Sequence, residues 1–184
     1  MTDFTYYDDD AAPEEARPLF DKAWQETGRV ANIYRYMAGS PQLLDGYQYL
    51  RNLFFKTSFS PVEQELVQLV ISFEHGCKYC MAVHSMRAKM AKIAPAELEN
   101  LRAGRPAQDR KLAALQTFTR QMVLARGHVG EGEIEAFLEA GYSRQNVLEI
   151  VLAIGMKVLT NYANHLFEAP LDEPLKPLAW TRPD

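Results

Sequence analysis

Two cysteines and a histidine lie close together near the middle of the chain, in the order Cys77, Cys80 and His84. On an α-helix, residues three and four apart share one face and have Cβ atoms about 5–6 Å apart. An imidazole beside a thiol, and the positive end of the helix dipole, both favour a nucleophilic thiolate. A thiolate attacks a peroxide O–O bond to give a sulfenic acid, which a second thiol converts into a disulfide. The spacing therefore predicts thiol redox chemistry.

Glu65, on the preceding predicted helix, is the candidate for orienting His84. A carboxylate bonded to one ring nitrogen fixes the tautomer and supports an imidazolium. The position at the helix start favours Cys77 as the more acidic thiol, whereas the four-residue spacing to His84 favours Cys80. We expect the imidazole to dominate, because an exposed contact with the helix dipole contributes only about 0.3–1 kcal/mol.

Two other interpretations of the cysteine pair remain open at this point. A zinc site needs four protein ligands, or three and a water, so His75 and His84 would have to complete the set. The two thiols could also be inert members of the core. Redox chemistry is favoured over both, because chance spacing rarely places two cysteines and a histidine on one helix face.

The elements that must position these residues are helical. Ser60 and Glu63 form a capping box that starts a helix running to about His75, and Gly76 ends it. The next helix begins near Cys77. Further helices are predicted over 13–25 (interrupted by Pro18), 41–56, 95–103, 108–125, 131–140 and 144–165. We therefore expect a single all-α domain of about seven to nine helices, with extended arms over about 1–12 and 170–184.

The composition limits the classes of function. The chain has 184 residues, 47% of them hydrophobic and 24% charged, which is typical of a folded globular domain. A net charge of −4 argues against a broad nucleic-acid surface. We expect no membrane span, since no apolar run approaches about eighteen residues. Without a visible signal peptide we expect a cytoplasmic protein, and without a dinucleotide or P-loop motif we expect no cofactor.

The full pattern Glu65-x11-Cys77-x-x-Cys80-x3-His84 resembles the signature of the alkyl hydroperoxidase D / carboxymuconolactone decarboxylase superfamily. The resemblance covers roughly residues 40–172 and includes the AGYS and NYANH segments. It implies an all-helical homo-oligomer, either a dimer, a trimer or a hexamer. It also implies a thiol peroxidase or disulfide reductase, because the decarboxylase branch does not use this cysteine pair.

By the same resemblance, Cys80 is the peroxidatic cysteine and Cys77 the resolving cysteine, while His84 is the base and Glu65 starts the proton relay. The substrate would be hydrogen peroxide or an organic hydroperoxide. An external dithiol, on a lipoyl- or thioredoxin-type protein, would recycle the enzyme. A redox-switched interaction protein without peroxide turnover is the alternative function. One departure is Tyr79, which replaces a second relay histidine and is a poor general base.

Two further features are expected to be structural. Lys157 lies on an otherwise apolar helix, where it would extend outward or pair with a carboxylate at an interface. An aromatic group in the first third of the chain is expected in the core or at a subunit interface rather than in a substrate pocket. Its members are Tyr34, Tyr36, Tyr47, Tyr49, Phe54 and Phe55.

Overall fold

The computed structural model describes residues 4–183 and is helical throughout, with no strand among those residues. It has nine α-helices and two short 3-10 helices, Glu14–Ala16 and Glu173–Leu178. The α-helices are α1 Arg17–Thr27, α2 Asn32–Met37, α3 Pro41–Phe54, α4 Pro61–His75, α5 Lys78–Met90, α6 Pro95–Arg102, α7 Arg110–Leu124, α8 Glu131–Glu139 and α9 Arg144–Phe167. The predicted all-α class is confirmed.

Two details at the start of the chain differ from expectation. Pro18 lies in the first turn of α1 and does not interrupt it, because a proline there lacks only an N–H that would have no helical partner. Helix α2 was not predicted. It has only six residues and no side-chain cap, so it carries little periodic signal.

Helix α4 lies at the centre of the molecule. It packs against α5, α6, α7 and α9, and its residues 64–72 are all buried. A helix that is buried on every side is the core of a helical domain. The capping box of Ser60 and Glu63 is present, and Gly76 ends the helix with a φ of +70°. Glycine adopts this left-handed conformation without the penalty that a Cβ would bring, so the chain turns sharply into α5.

Helix α9 spans 24 residues and packs against α3, α4, α5 and α7. Ser143 and Asn146 form a capping box at its start. Its length and composition would also suit a membrane span, but half of that apolar window is buried inside the helical bundle. The helix therefore has the burial of a core helix, with one exposed apolar face.

Both predicted arms contact the body of the protein. At the N-terminal end, the hydroxyl of Tyr6 donates to Asn32 in α2. At the C-terminal end, residues 173–178 form the second 3-10 helix against α5, with Leu175 fully buried. The indole of Trp180 donates to the carbonyl of Arg102. Residues 1–3 and 184 of the two arms lie outside the described residues.

Candidate active site

The turn at Gly76 sets both cysteines at the first turn of α5. Cys77 is the N-cap residue, and its Sγ accepts a hydrogen bond from the backbone N–H of Cys80 at 3.3 Å. Nδ2 of Asn164 lies 3.7 Å from the same sulfur. Both thiols are free and buried, with 0% of Cys77 and 3% of Cys80 exposed. The two sulfurs therefore share one small, water-poor volume at a helix start.

Glu65 and His84 face each other across α4 and α5, as the sequence predicts. Nδ1 of His84 lies 2.9 Å from Oε2 of Glu65, and Nε of Arg87 donates to Oε1 at 2.8 Å. Burial by itself raises the pKa of Glu65, but its hydrogen bond with His84 and the charge of Arg87 lower it below the ordinary value. Glu65 is therefore ionised and can only accept hydrogen bonds. The ring proton of His84 must then be on Nδ1, which donates to Glu65.

The other ring nitrogen of His84 contacts a residue that the motif does not include. Nζ of Lys157 lies 2.8 Å from Nε2 of His84, and only 1% of Lys157 is exposed. Burial and the charge of Lys157 lower the pKa of His84 to about 4, against the opposing effect of Glu65. The ring is therefore neutral near pH 7, and its Nε2 accepts a hydrogen bond from the ammonium group of Lys157.

This arrangement corrects two expectations. His84 does not form the predicted imidazolium–thiolate pair with Cys80, because both ring nitrogens are occupied by Glu65 and Lys157. Lys157 neither extends outward nor pairs with a carboxylate. The cation beside the two sulfurs is Lys157, and the imidazole of His84 is hydrogen-bonded to that lysine. A single buried lysine on an apolar helix was the signal in the sequence, since such a charge requires a partner.

The two thiols have different acidities. Burial raises the pKa of Cys80, but a hydrogen bond from Cys77 and the charge of Lys157 outweigh it and bring that pKa to about 7. The pKa of Cys77 is raised, first by its hydrogen bond to Cys80 and then by burial. These opposite shifts favour Cys80 as the thiolate and Cys77 as the thiol that donates to it. The ordering is the one predicted from the sequence, but its causes are the hydrogen bond from Cys77 and the charge of Lys157 rather than an imidazolium at His84.

Tyr79 bonds to a carboxylate outside the Glu65–His84 pair. Its hydroxyl donates to the carboxylate of Asp172, which also accepts from the backbone N–H of Asn32 at 3.2 Å. Burial and the nearby charge of Asp172 raise the pKa of Tyr79. The phenol therefore stays protonated and anchors the C-terminal segment beside Cys80, and it does not act as a proton relay.

A cavity of about 660 Å³ opens above Cys80. Cys80, His84, Lys157 and Tyr79 line it, whereas Cys77 does not. Its walls carry aromatic and methionine side chains from the first third of the chain and from α5, which are Tyr34, Tyr47, Phe55, Met86 and Met90. Three members of the aromatic group thus line a pocket and were wrongly expected to be only core or interface. The fold gathers them from α2, α3 and the turn after α3.

His75 and His84, which a zinc site would need, are each bonded to other residues. His75 ends α4 and lies 3.0 Å from Nδ2 of Asn161, with its ring against Tyr162. His84 is held by Glu65 and Lys157. Within residues 4–183, no three or more His, Cys, Asp or Glu side chains are grouped so that they could hold a metal ion.

Sequence comparison matches residues 41–119 to the carboxymuconolactone decarboxylase family. That range contains α3 to α6, the whole Glu65–His84 motif and most of α7. Over that range the chain is similar to the carboxymuconolactone decarboxylase family, and its fold is that of the alkyl hydroperoxidase D-like structures described next. The comparison with curated proteins gives no significant match.

Several solved structures share the fold. An uncharacterised peroxidase-related protein with an alkylhydroperoxidase AhpD core from Ralstonia eutropha JMP134 has a TM-score of 0.81 at 17% identity, covering 95% of this chain and 96% of its own. A peroxidase-related protein from Silicibacter sp. TM1040 has a TM-score of 0.78 at 20% identity, covering 94% and 92%. A variant of the debrominase Bmp8, in complex with 2,3,4-tribromopyrrole, has a TM-score of 0.78 at 16% identity, covering 96% and 95%. At these low sequence identities, the similarity shows a shared fold and nothing more specific.

Proposed function

We propose that this protein is a thiol peroxidase that reduces organic hydroperoxides with the Cys77–Cys80 pair. The observation that carries the proposal is the position of Cys80. It is a buried thiol with a pKa of about 7, it lines a cavity of about 660 Å³, and it lies one helical turn from a second thiol. A thiol that ionises near neutral pH is the form of cysteine that attacks peroxides.

The first step forms a bond from the Cys80 thiolate to the terminal oxygen of the hydroperoxide and breaks the O–O bond. The sulfur is oxidised to a sulfenic acid, and the leaving group departs as an alkoxide. Lys157 is placed to donate a proton to the alkoxide, since it lines the cavity and its charge acts on Cys80. The products of this step are Cys80–SOH and an alcohol.

Lys157 recovers its proton when the external dithiol, which brings two thiol protons, reduces the Cys77–Cys80 disulfide and leaves Cys77 as a thiol and Cys80 as a thiolate. Nε2 of His84 is hydrogen-bonded to Nζ of Lys157, and Glu65 and Arg87 hold the other side of the ring. This line of groups holds Lys157 against the sulfurs. It also connects the buried ammonium to the half-buried guanidinium of Arg87. Glu65 and His84 thus position the proton donor, and Lys157 contacts the reacting atoms.

The second step uses Cys77. Its sulfur attacks the sulfenic sulfur of Cys80, a disulfide forms, and one water leaves with the thiol proton and the hydroxyl group. The sum is a hydroperoxide and two thiols giving an alcohol, a disulfide and water. Because Cys77 is fully buried and Cys80 faces the cavity, an external dithiol attacks the disulfide at Cys80 and releases Cys77.

Peroxide consumption with dithiothreitol or dihydrolipoamide as the reductant tests the proposal. Wild type is expected to turn over cumene hydroperoxide, and Cys80→Ser to lose all turnover. Without added reductant, Cys77→Ser is expected to consume one equivalent and stop with a sulfenic acid that dimedone labels at Cys80. Wild type without peroxide consumption, or Cys80→Ser with wild-type activity, would show that the assignment is wrong.

The aromatic walls of the cavity favour one second candidate, the reductive removal of a halogen from an aromatic ring. The cavity is far larger than hydrogen peroxide needs and is lined by Tyr34, Tyr47 and Phe55. A thiolate can take up the halogen from carbon, the ring carbon takes a proton, and the second thiol displaces halide to form a disulfide. Halide release from a bromopyrrole, set against hydroperoxide consumption by the same preparation, separates the two activities.

A further inference from the structure

The cavity above Cys80 is lined by charges of both signs. Its lining includes four cationic side chains and two carboxylates. The cationic side chains are Arg29, Arg51, Arg87 and Lys157, and the carboxylates are Glu26 and Asp172. Which of these charges can bind a ligand therefore depends on how they are paired with one another.

Three of these cations already have partners. Arg51 pairs with Glu26 at 2.9 Å, Arg87 pairs with Glu65 at 2.8 Å, and Lys157 lies on His84 beside the Cys80 thiolate. Arg29 differs from them, because it forms no ion pair with any carboxylate of residues 4–183. It is half-buried and follows α1, next to exposed residues of the same cavity wall. Arg29 is thus a cation of the cavity lining that has no carboxylate partner among residues 4–183.

The rest of the lining is apolar or aromatic. The rings of Tyr34 and Tyr47 pack edge to face, with their centroids 5.8 Å apart. The guanidinium of Arg87 lies over the ring of Phe55, 4.5 Å from its centroid. A volume of about 660 Å³ suits an organic molecule, since one water occupies only about 30 Å³. The site therefore combines an apolar body with an unpaired cation at one side and the Cys80 thiolate at the floor.

Resting on the proposed function, we infer that the substrate is an organic hydroperoxide that carries a carboxylate. Its apolar body lies along Tyr34, Tyr47 and Phe55, its carboxylate binds Arg29, and its hydroperoxide meets Cys80. The redox step is unchanged: the O–O bond breaks, Cys80 gains the terminal oxygen, and the product is the corresponding hydroxy acid. Arg29 determines specificity here and takes no part in the bond changes.

Two hydroperoxides that differ only in charge test the inference. They are cumene hydroperoxide and its para-carboxylate analogue, assayed at low ionic strength. Because charge-assisted hydrogen bonds are stronger than neutral ones, wild type is expected to show a KM about ten-fold lower for the acid. Arg29→Gln should remove that preference and leave the neutral substrate unaffected, and Arg29→Lys should retain part of it. Arg110→Gln, at an exposed arginine away from the cavity, is the matched control.

A binding measurement separates this inference from the proposed function. Alkylation of Cys80 by iodoacetamide is followed in the presence of 4-isopropylbenzoate or the neutral 4-isopropylbenzamide, neither of which reacts. The benzoate is expected to protect Cys80 at about ten-fold lower concentration, and Arg29→Gln to abolish the difference. If the benzoate protects Cys80 but the protein consumes no peroxide, the proposed peroxidase function is wrong and the carboxylate-binding site at Arg29 is supported. Equal protection by both compounds, or equal KM values for both hydroperoxides, would overturn the inference.

Discussion

Lys157→Met removes the charge that lowers the pKa of Cys80 while keeping a flexible side chain of similar length in the core. The wild-type pKa of Cys80 is about 7 because the hydrogen bond from Cys77 and the charge of Lys157 outweigh burial. Burial is the largest single influence and acts in the opposite direction. Without the ammonium we expect the pKa of Cys80 to rise from about 7 toward the ordinary value of 9.0, while the hydrogen bond from Cys77 remains.

The size of the effect follows from the two pKa values. At pH 7 a thiol of pKa 7 is half ionised, and one of pKa 9 is about 1% ionised, which is a loss of about 50-fold in thiolate. The more basic thiolate is intrinsically about eight-fold more nucleophilic, since the Brønsted coefficient is near 0.45. The rate of alkylation at pH 7 should therefore fall by up to about six-fold, and the midpoint of its pH profile should move up by up to about two units, the limits that apply if the pKa rises all the way to 9.0.

The assay is the rate of iodoacetamide labelling of Cys80, read by mass spectrometry of the peptide between pH 5 and pH 10. Lys89→Met removes a lysine from the exposed side of α5 and should leave the profile at its wild-type midpoint near 7. A Lys157→Met protein that is folded by circular dichroism and still titrates near 7 would refute the role given to Lys157.

Three further outcomes are expected. The pKa of His84 is lowered to about 4 in the folded protein, from an ordinary value of 6.5. Between pH 6.5 and pH 4 the unfolded chain therefore binds a proton on this histidine, whereas the folded chain does not. Stability is therefore lost as pH falls from 6.5 to 4, by up to about 3 kcal/mol, and urea denaturation of His84→Gln should lack that share. Tyr79→Phe leaves the carboxylate of Asp172 without its phenol donor and should lower the free energy of unfolding by about 1–3 kcal/mol, whereas the exposed Tyr49→Phe should change little. The homo-oligomer that the family implies is expected to bury the exposed apolar face of α9, so light scattering of Leu166→Glu should show a smaller assembly. Equal masses for oxidised and reduced protein would exclude the redox-switched assembly.

The helices and their ends were predictable because their signals are local. Ser60 with Glu63, Gly76 and Ser143 mark helix boundaries through hydrogen bonds and backbone conformations that involve only neighbouring residues. The same holds for the cysteine pair, whose proximity depends on one helical turn. The arms were harder to predict. Their contacts join residues far apart in the chain, as when Asp172 meets Asn32.

The sequence by itself determined the all-helical class, and it predicted Glu65 as the partner of His84 and Cys80 as the reactive thiol. Only the tertiary structure decided which cation helps to lower the pKa of Cys80. The cation is Lys157, which is 73 residues beyond His84 and reaches it only because α9 packs against α5. The cavity, with Arg29 in its lining, likewise joins α1, α2, α3 and α5. Spacing along one helix specifies which side chains are neighbours on that helix. The charge and solvent exposure that set their pKa values come from other helices, and packing places those.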